Sequence, residues 1–195
     1  MTDLTPDLLL YAYQRGVFPM ADPTEENAIY WFAPDPRAIL PLDTFHVPKN
    51  LDRLVRRGRF EVTSDRAFEA VMRACADRAS TWISEEIIRV YTAVHEQGFA
   101  HSVECWDDGQ LVGGLYGVAV GGAFFGESMF HRARDASKVA LVHLVERLRR
   151  GGFVLLDTQY TTPHLEQFGV VEIPRRVYER RLQRALRVEA TWEPV

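Results

Sequence analysis

The chain has 195 residues, of which 47% are hydrophobic and 26% charged, the proportions of a globular protein with enough apolar material for a core. That composition excludes a disordered or fibrous chain. With 27 acidic against 23 basic residues the formal net charge is −4, so any nucleic-acid contact must come from local basic patches and not from the surface as a whole. Two cysteines, Cys75 and Cys105, cannot build a disulfide framework and have no metal-ligand spacing, which fits a reducing cytoplasm. The opening MTDLTPDLLLYAYQRG lacks the basic and apolar regions of a signal peptide. The uncharged, mostly apolar stretch from Leu111 to Gly126 has 16 residues and six glycines, too short and glycine-rich for a membrane helix. No membrane association is expected.

In chain order, Thr5 caps a helix that has Pro6 in its first turn and Gly16 after its end. Residues 17–47 hold five prolines and no sustained period, so they read as loop with short extended pieces. A short helix follows from Pro48 to Arg57, then a strand over Arg59–Thr63. Ser64 is placed to cap a helix over 65–76, and Ser84 to cap another over 85–97. HSVECW, LVGGLYGVAV and AFFGESMF, joined by Asp107–Gln110 and by Gly121-Gly122, read as a three-stranded antiparallel meander. A helix beginning at Asp135 or Ser137 presents Val139, Leu141, Val142, Leu144, Val145 and Leu148 on its apolar face. Its polar face holds His143, Glu146, Arg147 and Arg150. FVLLDTQ then reads as a buried, parallel-type strand, followed by a short helix opened by Thr162-Pro163, a VVEI strand and a terminal helix over PRRVYERRLQRAL. Meander, helix, parallel strand, helix, strand is the order of an α+β, acetyltransferase-like (GNAT-type) mixed sheet with flanking helices. A domain boundary is expected near residues 95–100, separating a small, mostly helical N-terminal domain (1–97) from the GNAT-like domain (98–195). No heptad repeat or long apolar edge calls for a partner subunit, so a monomer is expected.

Three polar residues stand out against apolar surroundings: Glu127 inside AFFGESMF, and Asp157 with Gln159 at the end of FVLLDTQ. Asp157 and Gln159 lie two apart on a strand and share a face. A carboxylate beside a splayed sheet can be catalytic or can orient a substrate. Equally, Glu127 and Asp157 can pair with Arg132, Arg134 or Lys138 and serve the fold alone. Trp31, Phe32, Trp82, Tyr13 and Tyr91 offer a stacking platform for a base, although aromatic residues more often fill a core. Leu115, Phe124, Leu141, Leu144 and Leu156 can line an apolar pocket between sheet and helix, or simply fill it.

Basic residues are concentrated. Residues 49–59 hold Lys49, Arg53, Arg56, Arg57 and Arg59, and residues 175–187 hold Arg175, Arg176, Arg180, Arg181, Arg184 and Arg187. Such runs attract a phosphate backbone, though many are solvated faces only. There is no Walker A loop, G-x-G-x-x-G, H-E-x-x-H or G-x-S-x-G, and the six histidines form no zinc pattern. Where an acetyl-coenzyme A enzyme carries a glycine-rich pyrophosphate loop, this chain reads ESMFHRARDASK, which has no glycine after the strand. An acyl-coenzyme A N-acyltransferase is opposed by the missing loop, and an RNA-binding module would need neither the acidic pair nor the apolar pocket.

YQRGVFP, WFAPDPRAIL, TWI, HSVECW, LVGGLYGV, FFGESMF, ASKVALVHL, LLDTQ and HLEQFGVVEIPRR occur in the order found in leucyl/phenylalanyl-tRNA–protein transferases, and the chain resembles that family over nearly all of residues 8–180. The resemblance implies transfer of Leu, Phe or Met from tRNA to a protein with N-terminal Arg or Lys, which gives the product an N-end-rule degradation signal. It implies Asp157 and Gln159 as catalytic acid and amide, Glu127 as the acidic acceptor-site residue, Leu115, Phe124, Leu141, Leu144 and Leu156 as the side-chain pocket, and Tyr13, Trp82 and Tyr91 as contacts to the terminal adenosine. The expected partners are the 3′ end and acceptor arm of an aminoacyl-tRNA and the acceptor protein, with no metal or cofactor. The chain departs from the family pattern in three places: Met20 replaces the tryptophan of FPW, Thr158 the cysteine of D-C-Q, and Leu144 an aromatic residue facing the pocket. The family's further GLLAxGGDL-type segment lies ahead of the point where this chain starts.

Overall fold

The computed structural model describes residues 4–192. Thr5 Oγ1 accepts from Leu8 N–H and Pro6 occupies the first turn, so helix α1 (Pro6–Gln14) starts where the sequence signals it. Strands β1 (Phe18–Asp22) and β2 (Ala28–Phe32) form a separate antiparallel hairpin in the stretch read as loop with short extended pieces. Glu26 and Asn27 adopt left-handed backbone angles at its turn. After β3 (Arg37–Ile39) come α2 (Lys49–Arg56) and β4 (Glu61–Ser64).

The next helix, α3 (Phe68–Ala76), begins later than expected, and Ser64 does not cap it. Asp65 is the reason. Its carboxylate accepts Ser102 N–H at 2.9 Å and meets His101 at 2.9 Å, which commits residues 65–67 to crossing the sheet edge before the helix begins. Helix α4 (Glu85–Glu96) is capped by Ser84 as its sequence predicts. The meander is β5 (Ala100–Asp107), β6 (Gln110–Val120) and β7 (Ala123–His131). Asp108 and Gly109 take the positive φ that a two-residue hairpin turn requires. Then follow α5 (Ala136–Arg150), β8 (Leu155–Gln159), α6 (Pro163–Glu166), β9 (Val171–Ile173) and α7 (Arg175–Ala185).

Seven strands form one mixed sheet in the order β4-β5-β6-β7-β8-β3-β9, with β7 and β8 parallel and every other neighbouring pair antiparallel. The expected α+β order of meander, helix and parallel strand is the observed one. The expected division near residue 97 is not. β3 and β4, both from the first half, lie inside and at the edge of the same sheet, because β3 supplies the partner that β8 and β9 need.

Each face of the sheet carries its own core. On one, α1, α3, α4 and α7 pack Tyr13, Met72, Tyr91 and Tyr178 over Tyr116, Phe125 and Leu155. On the other, α5 packs Val139, Leu141, Leu144 and Leu148 over Leu115, Phe124 and Leu156. Burial of apolar side chains on both faces is the main stabilising term. Arg147, expected on the exposed face of α5, is buried beneath the Trp192 ring, whose centroid is 4.7 Å from its guanidinium carbon. The C-terminal segment folds back over that helix and turns a solvent face into a covered one.

Candidate active site

β7 and β8 pair only from Ala123–Phe125 against Leu155–Asp157, and beyond that they part. The gap opens a cavity of about 460 Å³, within the size range of small-molecule sites. Leu115, Leu141, Leu144 and Leu156 form its apolar wall. Phe124 does not line it. Its ring lies behind the wall, stacked with Trp192 at 5.5 Å and edge-on to Phe153 at 6.4 Å, so it supports the pocket from the back.

At the polar rim, Gln159 Nε2 donates to Glu127 Oε1 at 3.0 Å, joining the two strands across the gap. With its NH₂ turned to the carboxylate, the amide leaves its oxygen for another donor. Burial pushes the Glu127 carboxyl up to about 7; the Asp157 charge adds to the rise, while a Tyr13 hydrogen bond and the Arg37 charge oppose it. Tyr91 Oη donates to Glu127 Oε2 at 3.4 Å and is bonded to Tyr13 Oη at 2.5 Å. Tyr13 and Tyr91 are fully buried, so neither ring offers a face to a base, and their hydroxyls point to the carboxylate instead. Trp82 is only half-buried. With Met20, Tyr30 and Phe32 it lines a separate cavity of about 300 Å³ beside the β1–β2 hairpin, where Trp31 and Phe32 are also partly exposed.

Asp157 is completely buried and fully bonded. Oδ1 accepts Arg37 Nε–H at 3.0 Å and Gln159 backbone N–H at 2.9 Å, and Oδ2 accepts Arg37 Nη2–H at 2.7 Å and Tyr178 O–H at 2.6 Å. Its charge partner is Arg37, not Arg132, Arg134 or Lys138. Gln159 has φ 58°, and the bond from its N–H to Asp157 secures that left-handed turn, which swings its side chain toward Glu127.

Sequence reasoning does not single out Arg37, Tyr178, Tyr116 or Arg78. Arg37 stands before the apolar run AIL, and its position directly after a pair of closely spaced prolines is the available signal. Tyr178 sits in phase with Leu182 and Ala185 on the buried face of an arginine-rich helix. Tyr116 Oη and Thr158 Oγ1 are buried without hydrogen-bond partners in residues that line the pocket, so a bound substrate could satisfy them. Arg78 reaches the rim through bonds to Ser128 Oγ and Met129 O. The two basic runs lie on opposite faces: α2 packs on α5, and α7 lies on the other side with Arg176, Arg180, Arg181 and Arg184 exposed.

The family profile described as Leucyl/phenylalanyl-tRNA protein transferase matches residues 39–183, and that for its N-terminal domain matches residues 2–35. The chain belongs to the leucyl/phenylalanyl-tRNA protein transferase family. A relative of that name from Salinibacter ruber is 64% identical over 193 residues, covering 99% of this chain and 85% of the relative. Another from Gloeobacter violaceus is 61% identical over 186 residues, covering 95% and 96%. Among solved structures, a GCN5-related N-acetyltransferase-like protein from Streptococcus suis aligns at 17% identity and TM-score 0.41, covering 86% of this chain and 63% of that one. The break between the two transferase profiles falls at residues 35–39, at the entry to β3 and not near residue 97. No helix among the described residues is long and apolar enough to cross a membrane.

Proposed function

We propose that this transferase moves Leu, Phe or Met from an aminoacyl-tRNA onto the N-terminal Arg or Lys of an acceptor protein, marking it for degradation. The observation that supports this most directly is the Gln159–Glu127 hydrogen bond at the rim of an open apolar slot. The slot takes the amino-acid side chain, and the rim takes the reacting groups. The donor is an ester and already activated. The acceptor α-amine, with an ordinary pKa of about 7.7–8.0, is partly neutral near pH 7. Its nitrogen attacks the ester carbonyl carbon, the bond to the ribose oxygen breaks, and the proton lost by the amine ends on that oxygen.

Gln159 Oε1 accepts one amine N–H and aims the lone pair at the carbonyl. Holding two reactants in this way is worth about 7–11 kcal/mol in well-oriented systems. Glu127 binds the guanidinium or ammonium of the acceptor's side chain, a charge-assisted contact in a partly desolvated site. Asp157 acts through position. With four donors on its two oxygens it has no room for the amine, so it fixes Gln159 rather than taking the proton. It does so through the Gln159 backbone N–H and not through the side-chain amide.

Trp82 and Met20 serve the terminal nucleoside, and Tyr13 and Tyr91 serve Glu127. Lys49–Arg59, on the α5 face that carries the slot, holds the acceptor arm through phosphates, which makes recognition largely independent of tRNA sequence, while Arg175–Arg187 lies on the opposite face. The reading has the protein work as a monomer in the cytoplasm, where charged tRNA is found. The test is direct. Labelled leucyl-tRNA and a peptide beginning with Arg should yield labelled peptide. Transfer from acetyl-coenzyme A instead, or tRNA binding with no transfer, would overturn the reading.

A further inference from the structure

Next to the apolar slot lies a second cavity of about 480 Å³, and it has a different character. Arg132, Arg134 and Lys138 line it with His131, against a single carboxylate, Asp135. Asp135 meets Lys138 Nζ at 2.8 Å and Arg134 Nε at 3.6 Å, so it offsets one of three positive charges. Arg132 has no carboxylate partner among the described residues and lies over the Phe130 ring. The cavity sits at the start of the 15-residue helix α5. Asp135 occupies the cap position with φ 65° but makes no side-chain cap bond, and the first turn holds no acidic residue. The Asp135 carboxylate at this end turns to Lys138 and Arg134 and leaves the first-turn N–H groups without a side-chain acceptor.

Two further atoms point to a ligand. Ser137 is only 1% exposed and lines both cavities, yet its hydroxyl makes no hydrogen bond among the described residues. His164 also lines both, and its Nε2 is buried without a partner. Buried polar atoms without protein partners are uncommon and are satisfied by something else.

The surroundings favour a nucleic-acid phosphate over an acidic side chain. α2 packs on the first half of α5, where Leu54 and Val55 share a crevice with Val139 and His143. Lys49, Arg53 and Arg57 on and just after α2 are exposed and form no ion pair among the described residues, so α2 brings unpaired positive charge to the helix whose start forms the cleft. We propose that this cleft binds a phosphodiester of the single-stranded 3′ end of the donor tRNA, between the basic face of α2 and the amino-acid slot. The assignment rests on the transferase reading above. It needs no glycine-rich loop, because a lone phosphate can be held by cations, a hydroxyl and a helix end.

The test compares two donors in the full-length protein: leucyl-tRNA, and leucyl-adenosine, which carries no phosphate. Arg132 and Arg134 are exposed or nearly so, so Arg132→Gln/Arg134→Gln should fold normally, with an unchanged thermal midpoint as the control. The ratio of kcat/KM for leucyl-tRNA to that for leucyl-adenosine should fall about tenfold in the double variant and recover in Arg132→Lys/Arg134→Lys. An unacylated 3′-ACCA ribo-oligonucleotide, followed by fluorescence anisotropy, should bind the double variant more weakly. Its salt dependence should drop by about 0.7 in log–log slope for each phosphate that the variant no longer neutralises. An unchanged ratio, equal binding of the oligonucleotide by both proteins, or a loss confined to the KM of acceptor peptides bearing Asp or Glu would overturn the proposal. If wild-type protein transfers nothing from leucyl-tRNA, the transferase reading is what fails, and the oligonucleotide measurement still decides this site.

Discussion

Arg37 and Asp157 face each other fork to fork at 3.0 and 2.7 Å, both at most 1% exposed, and the carboxylate they bury holds the backbone of Gln159. Phe18 and Tyr178 sandwich the guanidinium at 4.9 and 4.6 Å from their ring centroids, and its remaining Nη1 donates to Gly16 O at 3.0 Å. A buried pair this complete adds little net stability, but removing one partner leaves a bare charge in the interior.

Arg37→Met should therefore lower stability by about 3–5 kcal/mol in urea unfolding. It should also cost about 100-fold in kcat, since Gln159 loses its anchor and shifts relative to the ester. Tyr178→Phe removes one bond to the same carboxylate and should cost about 1.5–3 kcal/mol. A Met variant with wild-type stability and rate would show that the pair positions nothing.

Glu127 gives a pH prediction with opposite signs for activity and stability. Its carboxyl is raised from 4.5 to about 7 in the folded protein, so between those values the native state binds the extra proton. Stability then falls as pH rises from about 4.5 to about 7, by up to about 3 kcal/mol. Glu127→Gln cannot titrate. It should match wild type near pH 4 and exceed it in stability near pH 8, as read by urea unfolding at the two pH values. Binding of a cationic acceptor runs the other way. The wild-type KM for an Arg peptide should fall as pH rises through about 7, and that of the Gln variant should be higher and flat over the same range.

The slot discriminates by shape. Leu144→Trp fills part of the wall facing Leu156 and should lower kcat/KM for phenylalanyl-tRNA relative to leucyl-tRNA. A size mismatch of about a methylene is worth about 1–3 kcal/mol, or about 10- to 200-fold, so the ratio of the two donors measured in one assay is the readout. Phe124→Leu, behind the wall, should change stability and leave the ratio nearly untouched.

The exposed cations of α2 should carry part of the salt dependence. Lys49→Gln/Arg53→Gln/Arg57→Gln should weaken tRNA binding at low salt and reduce the log–log salt slope by about 0.9 for each duplex phosphate left without its cation. Binding that ignores both salt and these substitutions would remove α2 from the tRNA surface.

The legible parts of this molecule are those where one local signal is sufficient. α5 and β8 announce themselves by apolar runs with clear stops, and Glu127, Asp157 and Gln159 by polarity inside such runs. β3 is hidden because three residues with prolines upstream carry no period, and its one charged member, Arg37, pairs with a carboxylate 120 residues away. Phe124 and Phe125 look equivalent in sequence. Both faces of the sheet are apolar, so alternation decides which face each enters without saying which face opens. Arg147 is illegible for a similar reason, since the Trp192 ring that lies over it returns from the far end of the described residues.

The Asp157 cluster is assembled from Gly16, Arg37, Gln159 and Tyr178, near the beginning and near the end of the chain. A polypeptide still emerging from the ribosome, made only as far as β9, has the slot wall and Glu127 but lacks the phenol that completes the cluster. The buried carboxylate thus gains its fourth donor only when the last helix packs against the sheet, which ties the setting of Gln159 to completion of the fold.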